Sequence, residues 1–291
     1  MSHHHLQRVV VRMLYDPAFV AQIFADPATA LRDEDLTDQE RRWLVEVDRR
    51  AYAVDPLRRT RTLTALIEEF PVSVHHLVRQ TGHAALLDAF FSSVYFHTCI
   101  QQRGSLAAAF SEYMLSAAPH RASPGLALAP LVQIETAMAH LRRQPSRPNA
   151  TPLSTCHLLR LAPTVALIPA PLGTLAHYQA TLETLRSDPD GLVAAALKPS
   201  TLPAPQEAQD HEWLLIVWHQ DSAAIELLPE ALGPLLAATP APRSALVATI
   251  CMLGADVHEA NEILDDLVTD GVLCAGGVDA EPSSDARSAP A

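Results

Sequence analysis

Hydrophobic residues make up 48% of the 291 and aromatics only 5%, so the core must come mostly from Leu, Ala and Val. This mix favours helices, because Ala and Leu lose little side-chain freedom there whereas strands draw on β-branched and aromatic residues. No run of about 18 apolar residues escapes interruption by Arg, Asp, His or Pro, which excludes a membrane-spanning helix. Charge is divided unevenly: residues 1–147 hold 16 Arg against 15 Asp/Glu, whereas residues 148–291 hold 5 Lys/Arg against 18 Asp/Glu, for a net −12. The acidic second half is a poor match for a phosphate backbone.

The first half reads as one helix after another. Asp16-Pro17-Ala18 and Asp26-Pro27-Ala28 each place a capping carboxylate before a proline at the first helical position. Thr37-Asp38-Gln39-Glu40 is a capping box opening a helix through Trp43, Leu44 and Val47. Asp55-Pro56 predicts another start, with Leu63, Leu66, Ile67 and Phe70 on its apolar side and Pro71 at its end. Apolar periodicity then predicts helices over about 73–80, 83–101, 105–117 and 125–143. Residues 1–147 therefore form an expected all-α domain.

Gln144 to Ser154 is rich in Pro, Ser, Asn and Thr and suits a linker. In the expected second domain, 154–275, Leu158–Ile168 is β-compatible though interrupted by Pro163, and Leu175–Leu185 is helical. Lys198–Asp210 is a Pro-rich loop. Glu212–His219 is the best strand in the chain, and Ala223–Leu228 returns as its hairpin partner after Gln220-Asp221-Ser222. Three short helices follow: one from Pro229, one over 243–253 stopping at Gly254, and one from the capping box Asp256-Val257-His258-Glu259 to Gly271. Val272–Cys274 allows a final strand. The fold class expected is α+β, a helical bundle followed by a small winged-helix-like module. Residues 276–291 lack periodicity and are expected to be a disordered tail.

Chemistry-bearing motifs are few. No GxSxG, P-loop, GxGxxG after a strand or HExxH occurs. Cys99, Cys156, Cys251 and Cys274 lie far apart without metal-ligand spacing, and the N-terminus lacks the pattern of a signal peptide. The expected location is therefore the cytoplasm. No role is assigned to His3, His4 and His5. His75, His76, His83 and His97 read as ordinary surface or core residues, and Cys156-His157 is the one pair held open as functional. Arg58, Arg59 and Arg61, continuing Arg49-Arg50, form either a solvated face paired with Glu46, Asp48 and Asp55 or a docking surface for an acidic partner. A winged helix suggests DNA binding, yet its third helix here, Asp256–Asp270, holds Glu259, Glu262, Asp265, Asp266 and Asp270 and no Lys or Arg. A peptide is the better ligand, added as a strand at the edge of Ala223–Leu228. Ile263, Leu264 and Leu267 would then either bed its apolar side chains or form the inward face of the helix.

The chain resembles the partner proteins encoded beside multinuclear non-haem iron-dependent oxidative enzymes (MNIOs), such as those of thiaglutamate, aminopyruvatide, methanobactin and bufferin biosynthesis. The resemblance covers about residues 8–143. It is carried by Leu14-Tyr15-Asp16-Pro17, Leu36-Thr37-x-x-Glu40, Asp48-Arg49-Arg50-Ala51-Tyr52, Glu69-Phe70-Pro71, Phe90-Phe91-Ser92-Ser93 with Phe96-His97, Arg103-Gly104, Phe110-x-x-Tyr113, and Leu128-x-x-Leu131-x-x-x-Glu135. The second domain resembles, more weakly, the recognition element by which such partners hold the leader of a ribosomally made precursor peptide. It departs from that pattern in the Pro-rich insertion at 199–210, which leaves its first strand as either Leu192–Leu197 or Leu158–Ile168.

The resemblance implies a non-catalytic adaptor that forms a heterodimer with an MNIO. The iron would sit on the partner enzyme, and this chain would carry no cofactor. The leader would lie beside Ala223, Ile225 and Leu227 and against Glu259, Glu262, Ile263, Asp266 and Leu267. The helical domain would dock on the enzyme through Arg49, Arg50, Arg58, Arg59, Phe91 and His97. Two rivals are a winged-helix transcriptional regulator and an enzyme using His97 or Cys156-His157 with a metal.

Overall fold

The computed structural model describes residues 3–53, 55, 57–118, 128–144, 158–198, 210–219 and 222–275. The linker, the Pro-rich loop, the Gln220-Asp221 turn, the Cys156-His157 pair and the tail fall outside them. The fold mixes helices with two small antiparallel sheets. It divides into two compact units: Met1–Ala139 with Gly173–Ala208, and His140–Leu172 with Gln209–Ala291.

The first unit is helical. α1 (His4–Tyr15), α2 (Pro17–Ala25), α3 (Pro27–Ala30) and α4 (Asp38–Glu46) lead into a 3-10 turn at Arg49–Ala53. α5 (Arg58–Glu69) and α6 (Pro71–Thr81) follow, then α7 (Ala85–Ala89), a 3-10 turn at Phe90–Ser92, α8 (Val94–Gln102), α9 (Leu106–Ala117) and α10 (Leu128–Arg142). The capping signals act as the sequence requires: Asp16 accepts the Phe19 N–H at 3.0 Å, Asp26 the Thr29 N–H at 3.1 Å, and Thr37 and Glu40 close both bonds of their box.

Three expectations change. Asp55 does not cap the helix at Pro56. α5 begins at Arg58, and Asp55 instead pairs with Arg58 and Arg61. The single helix over 83–101 is broken, because Ser93 adopts an extended conformation and its hydroxyl accepts the Phe96 N–H, starting α8 afresh. Residues 173–208 group with the helical unit rather than with the second domain. Within them α11 (Thr174–Arg186) and α12 (Leu192–Leu197) pack on α6, with Ala196 buried in the main core. Leu192–Leu197 is therefore a helix and not the first strand of the module.

Hydrophobic clusters of buried residues hold this unit, two of them as follows. One gathers Val9, Met13, Phe19, Val20, Ile23 and Leu44 from α1–α4. The larger joins α5–α10 around Phe70, Phe90, Phe91, Phe96 and Phe110. Burial of such side chains, at roughly 25 cal/mol per Å² of apolar surface, is the main stabilising contribution. A carboxylate lies among these buried side chains. Glu135, fully buried on α10, accepts the Val72 N–H at 2.9 Å and the Ser73 N–H at 3.0 Å.

The second unit begins with β1 (Leu158–Leu161) and β2 (Val165–Pro171), which a turn at Ala162–Thr164 sends into different sheets. β3 (His211–His219) and β4 (Ser222–Leu228) form the expected hairpin. α13 (Leu232–Ala237), β5 (Ala241–Pro242), α14 (Arg243–Met252), α15 (Val257–Thr269) and β6 (Leu273–Ala275) complete it. The sheets run β5-β1-β6 and β2-β3-β4. Gly254 (φ 110) and Gly271 (φ 72) take the left-handed conformations that stop α14 and α15. Leu215, Val217, Leu246, Ile250, Ala260 and Leu264 form the shared core of sheet and helices.

Candidate functional site

β4 lies at the end of its sheet and pairs only with β3 among the described residues. An unpaired edge of seven residues offers about 24 Å of backbone donors and acceptors. The opposite edge, β2, carries Pro169 and Pro171, which lack N–H groups and blunt that side. β4 has no proline, so it is the edge equipped to accept another strand.

The register separates the expected side chains. Opposite residues on paired strands share a face. Trp213, Leu215 and Val217 pair with Leu228, Glu226 and Ala224, and Leu215, Val217 and Leu228 belong to the core that α13–α15 cover. Ala223, Ile225 and Leu227 pair with Trp218, Ile216 and Leu214 and therefore point to the other face, away from α15. The structure thus does not bring the strand and helix halves of the expected peptide set together as side chains. Ala224, Glu226 and Leu228 are the strand residues on the helix side.

On α15, Leu264 and Ala260 are fully buried, while Ile263 and Leu267, one turn apart, are half-buried against the core. The neighbouring row holds Glu262 and Asp266. Glu259 is occupied in the capping box, its carboxylate accepting the Asp256 N–H at 3.0 Å, and Asp265 pairs with Arg243 at 2.8 Å. His258 stands 3.4 Å from Glu262. The acidic rim left for a ligand is therefore Glu262 and Asp266.

The six docking residues of the helical unit also divide. Phe91 is wholly buried, stacked on Tyr15 at 5.2 Å between ring centroids and edge-on to Phe96. His97 is only 9% exposed, on the inward side of α8. Phe91 can present no surface, and His97 reaches one only at the floor of a separate pocket lined by Arg8, Arg12 and Glu34. Arg59 donates to the Tyr15 carbonyl at 3.0 Å and to the Asp88 carbonyl at 2.8 Å, and it lies over the Phe91 ring. Arg58 pairs with Asp55. Arg49 and Arg50 are exposed, and neither guanidinium has a partner among the described residues.

Sequence reasoning missed a cavity of about 590 Å³ in this unit. It is lined by Tyr15, Pro17, Val20 and Tyr52 together with Arg49, Arg50 and Arg59. The signal was present, since Leu14–Pro17 and Asp48–Tyr52 are two of the segments that carry the family resemblance. The fold brings them to one wall.

Other polar groups serve the fold. Burial pushes the Cys99 thiol up, away from a reactive thiolate. Among the described residues no group of three or more His, Cys, Asp or Glu is placed to hold a metal ion, and no helix is long and apolar enough to cross a membrane. His76 is held down to about 4 by burial, with His177 and Arg79 adding to the effect. His97 is likewise held down to about 4 by burial and by Arg12 and Arg8. The unfolded chain protonates these imidazoles near their ordinary 6.5. Between that value and about 4 it therefore binds more protons than the folded chain, and stability falls as pH falls. Each imidazole is expected to cost about 2 kcal/mol between about pH 7.5 and pH 4.5. Urea unfolding across this range should lose part of its pH slope in His76→Gln and in His97→Gln; an unchanged slope in both would refute the assignment.

No protein-family model matches this chain, and no curated protein matches it.

Proposed function

We propose that this chain is the non-catalytic partner of an MNIO and holds the leader of a ribosomally made precursor peptide for oxidation on that enzyme. The observation that carries the reading is the free, proline-free β4 edge of a three-stranded antiparallel sheet followed by three helices. This is the order of a winged-helix-like recognition element, with β2 in place of the uncertain first strand. The leader adds as a fourth strand through main-chain hydrogen bonds. Its side chains on the helix side meet Ala224, Glu226 and Leu228 and reach toward Ile263 and Leu267, while Glu262 and Asp266 favour basic residues. Iron and oxidant belong to the enzyme. This chain raises the local concentration of peptide, an effect that reaches about millimolar for short tethers. Substitutions here accordingly change apparent affinity for the peptide more than the chemical step.

Strand addition has a period of two, which gives its test. N-methylation of alternate leader residues should weaken calorimetric binding about tenfold for one parity and little for the other, since only one set of N–H groups faces β4. Loss without parity would sink the strand-addition reading. The acidic α15 speaks against DNA as ligand, and no observation favours the regulator.

A further inference from the structure

We propose that the cavity beside Tyr15 and Tyr52 receives an aromatic side chain with an adjacent carboxylate, presented by the partner enzyme. This rests on the adaptor reading and names the chemistry of one contact within it.

The aromatic part of the wall is fixed, and Leu14, Pro17 and Val20 extend it, with Asp48, Arg49, Arg50, Asp55, Arg59 and Thr60 making up the rest. Tyr15 is held by stacking on Phe91 and by an edge contact with Phe96 at 4.9 Å. Tyr52 donates its hydroxyl to the Leu44 carbonyl at 3.4 Å and meets the Phe24 ring edge-on. A volume of about 590 Å³ lies in the range of sites that enclose a small ligand or an anchoring side chain.

The charges at the rim are nearly all engaged. Arg59 is bound to Asp88 and the Tyr15 carbonyl, and Asp55 to Arg58 and Arg61. Asp48 accepts the Arg50 backbone N–H at 2.9 Å. What remains is the Asp48 carboxylate and two guanidinium groups, those of Arg49 and Arg50, adjacent in sequence and without a partner among the described residues, a balance of one positive charge. Two guanidinium forks beside this aromatic and aliphatic wall match a carboxylate attached to an apolar group. The surroundings favour a protein-borne anchor over a free acid. Trp43, Val47 and Leu57, close in sequence to the lining residues 48–55, are exposed large hydrophobics, the residue type that protein contacts bury.

The full chain is titrated by NMR with N-acetyl-Trp-Glu-amide, N-acetyl-Trp-Gln-amide, N-acetyl-Ala-Glu-amide and indole-3-acetate. The Trp-Glu peptide is expected to saturate. Its affinity should fall about tenfold when its carboxylate is removed or in Arg49→Gln/Arg50→Gln. Ala53→Trp, which fills the cavity from an exposed position on its wall, should abolish binding and also prevent co-elution with the iron enzyme, while the precursor peptide still binds at β4. Equal binding of the Trp-Gln peptide, no saturation, or co-elution undiminished in both variants would overturn the proposal. Tighter Arg-dependent binding of indole-3-acetate would overturn it in favour of a free-acid site. Failure of the wild-type chain to bind both enzyme and precursor would instead remove the adaptor reading, and this inference with it.

Discussion

Glu135→Ala is expected to destabilise the protein by about 4 kcal/mol, the largest single loss foreseen, because it strips two buried N–H groups of their acceptor. α6 opens at Pro71, which has no N–H, and its N-cap residue Phe70 has no side chain that can accept a bond. The next two amides, Val72 and Ser73, would be unsatisfied in the core, and Glu135 reaches across from α10 to take one with each carboxylate oxygen. It supplies the cap that the local sequence lacks. Each orphaned amide costs about 1–3 kcal/mol, and the lost side-chain volume adds a cavity. Glu135→Gln keeps one acceptor but turns an NH₂ toward the other amide, for a smaller loss of about 2 kcal/mol.

The same carboxyl has a pH signature. Burial pushes it up to about 7, against the pull of hydrogen bonds from Ser73 and Val72. The unfolded chain releases this proton near 4.5 and the folded chain near 7, so stability attached to this group declines as pH rises between those values. The slope is opposite in sign to that from His76 and His97. In guanidinium unfolding, the rise in stability between about pH 5 and pH 8 that His76 and His97 give should be smaller in the wild type than in Glu135→Gln by about 2 kcal/mol, and an equal rise in both would refute the assignment. A Glu135→Ala variant within about 1 kcal/mol of wild type would show that the amides find other acceptors.

Gly233→Ala is the second large effect, at about 3 kcal/mol. A Cβ built at Gly233 would lie 2.0 Å from Cγ and 2.2 Å from Cδ1 of Trp213. These atoms sit at the base of the indole, on the central strand β3, so relief requires the ring or the helix α13 to move. Alanine's helix propensity returns about 1 kcal/mol at most, so the clash decides the sign. Thermal unfolding followed by tryptophan fluorescence should show an earlier transition with a shifted emission of the folded state. An unchanged midpoint would mean that the contact relaxes freely.

How much of this was written in the sequence depends on range. Local signals carried far: Asp16, Asp26, Thr37 and Asp256 cap the helices they announce, and the β3–β4 hairpin follows from alternation and turn residues. α1 carries Leu6, Val9, Val10 and Met13 at helical spacing, but no capping residue marks its start. The break at Ser93 was hidden by continuous apolar periodicity over 83–101. Leu192–Leu197 joins the helical unit through contacts with α5 and α6 that are distant in sequence.

The site followed the same division. An edge at Ala223–Leu228 could be read from the hairpin, but not which face its side chains take. β3 is apolar on both faces, so alternation cannot say whether Leu215 and Val217 or Leu214 and Ile216 meet the helices. The register shows that the former do. The resemblance assigns Phe91 and His97 to docking, yet Phe91 stacks on Tyr15 and His97 lies edge-on to Phe96. Arg49 and Arg50 alone of that set keep both exposure and free charge.

The decisive experiment is co-purification with a multinuclear non-haem iron-dependent oxidative enzyme, the partner proposed for this chain. Size-exclusion chromatography of the co-expressed pair is run with and without the precursor peptide. A heterodimer that retains the peptide is expected, with retention lost when the leader is N-methylated at the β4-facing parity. Elution of this chain alone, indifferent to both enzyme and peptide, would contradict it.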